Sequence, residues 1–232
     1  YGCTGLTQAP ELPAETLSLS CYNAMFGGCT SLTNAPKLPA TELDNFCCYN
    51  MFSDCTGLTQ APELLATNLA VQCYVSMFRG CTSLTNAPRL PAMMLASNCY
   101  QTMFSGCTSL TQAPDLPAVT LAENCYNAMF ENCTGLTQAP ELPATNLAAN
   151  CYNSMFYGCT GIKLNTEGPG PEWGIPAGAA EADGWNLDML VGTGGTFTND
   201  PVIGVTYYFP LTAPPAPSGV SASDGTFTNK IR

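Results

Sequence analysis

Fourteen cysteines and no histidine set the chemistry open to this chain of 232 residues. Seven of the cysteines, Cys3, Cys29, Cys55, Cys81, Cys107, Cys133 and Cys159, step by 26 residues without exception. A second column, Cys21, Cys47, Cys73, Cys99, Cys125 and Cys151, keeps the same step, and Cys48 alone stands outside both. Thiols in such number could serve as a disulfide framework, a metal site or buried packing. Zinc is disfavoured, because there is neither a histidine nor a Cys-x-x-Cys pair. For disulfides, the distances decide. If residues 21–27 form a helix, Cys21 and Cys29 lie about 12 Å apart, beyond the roughly 7 Å that a bridge allows between Cα atoms. Stacked neighbours such as Cys29 and Cys55 are near enough, but their side chains point in parallel, and pairing would strand one of the seven. The expectation is two ladders of reduced, buried cysteines acting as small apolar residues, with Cys48 different from the rest.

Without histidine the commonest general base is missing, and no Ser-His or Cys-His nucleophile can be assembled. The carboxylates Glu11, Glu63, Asp115 and Glu141 share one column with Lys37 and Arg89, and nothing marks a cleft around any pair of them. No catalytic residue, cofactor or metal is therefore expected. That column is better read as a surface. Its signs alternate until the last step, as duplication of a two-repeat unit would produce, and stacking would pair opposite charges along the array for at most about 1 kcal/mol each. Beside it runs an amide column, Gln8, Asn34, Gln60, Asn86, Gln112 and Gln138, which could face a ligand or satisfy backbone groups between turns. These twelve side chains are the candidate binding residues. Asn132-Cys133-Thr134 fits the N-glycosylation pattern but has a half-buried cysteine at its centre, and carries little weight.

The elements that position these columns follow from the period. Leucine recurs in three further columns, Leu6 to Leu136 followed by Ile162, Leu12 to Leu142, and Leu17 to Leu147. No single repeat can bury its own leucines, so the copies must stack as a solenoid. Within a repeat, Cys21 with Met25 and Tyr22 with Phe26 are spaced i to i+4, which predicts a short helix. That helix would end at the column of Gly28, Asp54, Gly80, Gly106, Asn132 and Gly158, with Asn98, Asn124 and Asn150 as N-caps in the later repeats. Leu32-Thr33-Asn34-Ala35 reads as a short parallel strand, cut off by Pro36 and its copies.

The fold class expected is α/β: a right-handed leucine-rich-repeat solenoid of 26-residue repeats, with short parallel strands, short helices and a C-terminal cap. Residues 1–162 would form the solenoid, 163–209 the cap, with Trp185 to Leu190 as its apolar lid, and 210–232 a proline-rich linker and the truncated start of a further β module. Tyr1-Gly2-Cys3 repeats Tyr157-Gly158-Cys159, so the chain is expected to begin inside a repeat.

The segment Met25-Phe26-Gly27-Gly28-Cys29-Thr30-Ser31-Leu32 resembles the A-F-x-x-C-x-x-L core of BspA-like leucine-rich repeats in bacterial surface proteins, over residues 1 to about 162. Methionine replaces alanine, the repeat is a few residues longer, and proline follows the strand. Ser218-Gly219-Val220-Ser221-Ala222-Ser223 is similar to the entry of a fibronectin-type-III module. The first resemblance implies an extracellular or cell-surface location and an adhesive role, with a protein or glycan ligand. The alternative is a structural spacer or a subunit that assembles end to end. Nucleic acid is an improbable partner, since 17 acidic residues face 6 basic ones for a net charge of −11. Direct membrane insertion is not expected, because no apolar run approaches roughly 18 to 20 residues.

Overall fold

A computed structural model describes residues 1–211; the expected linker beyond Leu211 and the further module lie outside the described residues. The 26-residue period becomes a stack of repeats held by axial ladders of identical side chains. Phe26, Phe52, Phe78, Phe104, Phe130 and Phe156 stack with ring centroids 5.4 to 5.7 Å apart. Tyr74, Tyr100, Tyr126 and Tyr152 stack at 5.9 Å. The first leucine column is wholly buried from Leu32 to Ile162, and the second is buried throughout; in the third, Leu43, Leu69, Leu95 and Leu147 are only partly buried.

No helix forms among the described residues. The predicted helical segment is instead a ribbon of consecutive tight turns. In the first repeat Asn23, Met25, Gly27 and Cys29 each donate their N–H to the carbonyl three residues back. The residues between them, Tyr22, Ala24, Phe26 and Gly28, donate to Cys47, Tyr49, Met51 and Ser53 of the next repeat at 2.7 to 2.9 Å. Half of the N–H groups thus close turns and half tie the repeats together, so the buried backbone is satisfied without a helix. Ser20, Ala24 and Gly28 have φ of 56°, 51° and 72°. A positive φ at the third residue of a hydrogen-bonded turn is the mark of type II geometry, and it recurs here every four residues. That period of four, not a helical 3.6, is what places Tyr22 over Phe26. Asn98, Asn124 and Asn150 are not N-caps; they occupy the first of these left-handed positions, with φ of 60°, 53° and 54°.

Asparagine and glycine tolerate that conformation, whereas Phe46 and Gln72 adopt it at φ 59° and 56° against steric cost. Replacing Gln72 by glycine is expected to raise stability by about 0.5–1 kcal/mol, read as a shift of the urea midpoint. Glycine is required elsewhere for space: a Cβ on Gly57 would run into the backbone carbonyl oxygen of Thr30 in the preceding repeat.

The expected strand at residues 32–35 shrinks to single parallel bridges, Asn34 to Gln60 and Gln60 to Asn86, because the proline two residues on stops the ladder. Longer pairing occurs after the proline-bearing arch. There β1 (Thr16–Leu17) pairs in parallel with β2 (Glu42–Leu43), and bridges at Asn68–Met94 and Thr120–Asn146 continue the same line. The arch between the two lines alternates outward and inward: Glu63, Leu65 and Thr67 are exposed, while Leu64 and Ala66 are buried.

Past Ile162 the chain departs from the repeat and returns to it. Residues 182–193 form one more turn ribbon, with Gly184, Asp188 and Gly192 at positive φ, and accept the N–H groups of Asn150, Tyr152, Ser154, Phe156 and Gly158. An antiparallel pair, β3 (Glu172–Gly174) with β4 (Thr206–Tyr208), packs beside it. The two tryptophans close the aromatic ladders edge-on: Trp173 meets Phe156 at 6.5 Å and 78°, and Trp185 meets Tyr152 at 6.4 Å and 73°. In the expected lid, Trp185, Met189 and Leu190 are buried but Leu187 is exposed, because it points out of the ribbon.

Candidate binding surface

All fourteen thiols are free, and all but Cys3 and Cys21 are buried. The helix that placed Cys21 and Cys29 about 12 Å apart is absent, so that part of the geometric case against a bridge falls away. What the thiols do is more specific than filling space. Cys55, Cys81, Cys107, Cys133 and Cys159 each donate S–H to the phenylalanine carbonyl 29 residues earlier, at 2.9 to 3.1 Å. Burial pushes these thiols up, to about 11 for Cys55 and about 12 for Cys159. They are poor nucleophiles at neutral pH. Cys48 takes the place of tyrosine in the column of Tyr22, Tyr74 and Tyr100, and interrupts that stack. Its contact with the neighbouring thiol holds Cys47 below the usual thiol range and raises Cys48 itself. Asn132, the glycosylation candidate, is exposed, but Cys133 behind it is fully buried.

Every side chain of the amide and charge columns is exposed. The expected ion pairs along the charge column do not form: among the described residues no nitrogen and carboxylate oxygen of that column approach within 4.0 Å. Burial of Leu12 and its copies fixes the backbone beneath, and exposed side chains one repeat apart gain too little from pairing to be held together. The amides do not bridge repeats either. Asn34 and Asn86 donate to the hydroxyls of Thr33 and Thr85 at 3.2 Å, and it is the Thr59 hydroxyl that reaches across to the Thr33 carbonyl at 3.1 Å.

Between repeats the surface is grooved in register. A cleft of about 430 Å³ is lined by Thr7, Gln8, Ala9, Thr33, Asn34, Ala35 and Pro36. Its counterpart four repeats on, of about 200 Å³, is lined by Gln112, Ala113, Asp115, Thr137, Gln138, Ala139 and Pro140. On the arch, Pro10, Glu11, Pro13, Pro36, Lys37 and Pro39 line a second kind of cleft, repeated around Pro88, Arg89, Pro91, Pro114, Asp115 and Pro117. The threonines were missed as candidates, although their recurrence at exposed positions 7, 33, 59, 85, 111 and 137 is a legible signal. Also missed was a cleft of about 420 Å³ where the last repeat meets the cap, lined by Glu141, Glu172, Trp173, Ile175 and Val205 among others. Sequence gave no sign of it, because β3 and β4 come together only through folding. No group of three metal-ligating side chains occurs among the described residues, and no described helix is long and apolar enough to cross a membrane.

Comparison with known proteins finds no matching family model, no matching curated protein and no matching solved structure.

Proposed function

We propose that the chain is a non-enzymatic recognition module, a right-handed leucine-rich-repeat solenoid of the BspA-like kind, that binds a protein or glycan through its threonine and amide face. The observation that carries this reading is the recurrence of one cleft, built from equivalent residues, four repeats apart. A ligand with its own repeat meets the same hydroxyl, amide and proline surface at each step, so modest contacts add as avidity. An extracellular, adhesin-like setting fits the burial of the thiols, since a buried thiol with a raised pKa resists oxidation and exchange. A second reading, a stiff structural spacer, is favoured by the unbroken axial hydrogen bonding of the ribbon from Tyr22 to Val191.

The test is binding of the purified chain to arrays of oligosaccharides and surface proteins, followed by alanine substitution of Asn34, Gln60, Asn86 and Gln112 singly and together. Each single change is expected to weaken binding by about two- to fivefold, and the losses should multiply. Loss confined to one position, or unchanged binding in the fourfold variant, would remove the face from the mechanism. No binding on any array would favour the spacer.

A further inference from the structure

The outward face of the arch carries a pattern that fits a second copy of itself. Its three outward columns run through Glu11, Pro13 and Glu15 and their equivalents, with Pro39, Pro91 and Pro117 only partly exposed, and alternate with the buried Leu12 column and the Ala14 column, which is buried from Ala40 onward. Along the first column the signs read minus, plus, minus, plus, minus, minus, for Glu11, Lys37, Glu63, Arg89, Asp115 and Glu141. Among the described residues none of these charges is paired. From Lys37 to Asp115 they sum to zero, in a chain whose net charge is −11.

We infer that this face is a homodimer interface, in which two copies pack antiparallel about a two-fold axis lying between Glu63 and Arg89. Such an axis sets each column against its own reversed copy, as an isologous contact requires. Glu63 then faces Arg89 of the second copy and Lys37 faces its Asp115, and each pair occurs twice. Only Glu11 and Glu141 at the ends meet with like sign. The alternatives are worse. A parallel pairing about an axis down the middle column sets Glu11 against Glu15 and leaves Lys37, Glu63 and Arg89 facing Thr41, Thr67 and Met93, and moving the antiparallel axis onto Glu63 sets Glu11 against Asp115, Lys37 against Arg89 and Glu63 against itself. Moving it between Lys37 and Glu63 keeps opposite signs but leaves two repeats of each copy uncovered.

A second observation selects the same centre. Duplication of a two-repeat unit accounts for the alternating sign, but it does not account for where the repeats depart from one another. Leu65 replaces a proline of its column, and Met93 and Val119 replace threonine of theirs, all three about half exposed, with Met94 beside them 67% exposed. Around the axis Leu65 faces Pro91 of the second copy and Met93 faces Thr67, so two of the three departures fall where an interface is driest, while Val119 faces Thr41 one repeat further out. Six repeats at the ring spacing of about 5.6 Å, by five residues at roughly 3.3 Å, give a projected face of about 500 Å². That lies at the small end of specific interfaces and sets an expected dissociation constant on the order of 10 µM. Asp115 is shared with one amide cleft, but the other charges of the dimer face line neither, and dimerisation is measured without ligand, so the dimer stands or falls apart from ligand binding.

The experiment is sedimentation equilibrium of the whole chain from about 1 µM to about 1 mM. The wild type is expected to dimerise. Arg89→Glu reverses two contacts at once and should weaken the dimer by about 30-fold or more. Glu63→Arg combined with Arg89→Glu should restore it, and carbodiimide should link Lys37 to Asp115 only between copies. All of these positions are exposed, so circular dichroism should not change. A wild type that stays monomeric at the highest concentration, or a dimer that Arg89→Glu leaves equally tight, would overturn the inference. So would a double variant no tighter than Arg89→Glu alone.

Discussion

Truncating Phe104 to alanine is expected to cost about 3–5 kcal/mol, the largest loss of any single substitution on the axial ladders. The ring is fully buried and lies between Phe78 at 5.7 Å and Phe130 at 5.6 Å, nearly parallel to both. Its removal forfeits two stacking contacts and opens a cavity that neighbouring repeats cannot close, because their own backbones are pinned by ribbon hydrogen bonds on either side. Phe26 has one stacking partner, Phe52, and the same truncation there should cost less. Urea unfolding followed by circular dichroism checks both. Equal losses at Phe104 and Phe26 would mean that the ladder contributes little beyond the burial of each ring by itself. Stability in a stacked array is a sum of repeat and interface terms, so Phe104→Ala should also broaden the transition by uncoupling the two halves.

The second large effect is with pH. Every column cysteine from Cys55 onward has its thiol raised by burial, to about 11 at Cys55 and Cys151 and about 12 at Cys159. The same direction holds for Cys73, Cys99 and Cys125 in the second column. The unfolded chain releases these protons near the ordinary thiol value of 9.0. Between pH 9 and 11 to 12 the unfolded state therefore binds fewer protons than the folded one, and stability falls as pH rises. The stabilisation is fully present below pH 9 and is lost progressively through the folded values. Because the thiols act in one stack, the expected outcome is a steep drop in the thermal midpoint over this window and little change from pH 6 to 8. A midpoint flat to pH 11 would show that the thiols are not buried as described.

The period, the cysteine ladders and the burial of leucine and cysteine were legible in the residues, because stacking forces identical side chains to meet identical side chains; the phenylalanine ladder follows from the same rule but was not singled out. The local conformation between Cys21 and Gly28 was not. Over eight residues a period of 3.6 and a period of four place the same side chains together, so Cys21 with Met25 and Tyr22 with Phe26 could not separate a helix from a turn ribbon. The decision lies in backbone bonding across repeats. A helix closes its hydrogen bonds internally, whereas the ribbon sends Tyr22, Ala24, Phe26 and Gly28 to the next repeat. One signal could have tipped the reading: small or turn-forming residues recur at 20, 24 and 28 and at most of their copies, every fourth position, which suits turns better than a helix.

The candidate surface was legible as columns but not as clefts. Exposure of Gln8 and Glu11 follows from polarity and alternation, yet the grooves depend on how far prolines such as Pro36 and Pro39 hold the arches apart. The return of the chain at 182–193 was hidden because Trp185 and Thr193 stand where the repeat has Cys151 and Cys159, after an insertion that breaks the count. The left-handed residues Gly184, Asp188 and Gly192 keep the earlier rhythm, and Met189 stands where the repeat has Met155.

The most direct test of the stacked, thiol-bearing solenoid is titration of free thiols on native and on urea-unfolded protein, without reductant. The expected result is rapid reaction of Cys3 and Cys21 alone in the native chain and of all fourteen cysteines once it is unfolded. Fewer than fourteen after unfolding would mean that disulfides, not reduced ladders, hold the repeats; fast reaction of all fourteen in the native state would mean that the ladders are not buried at all.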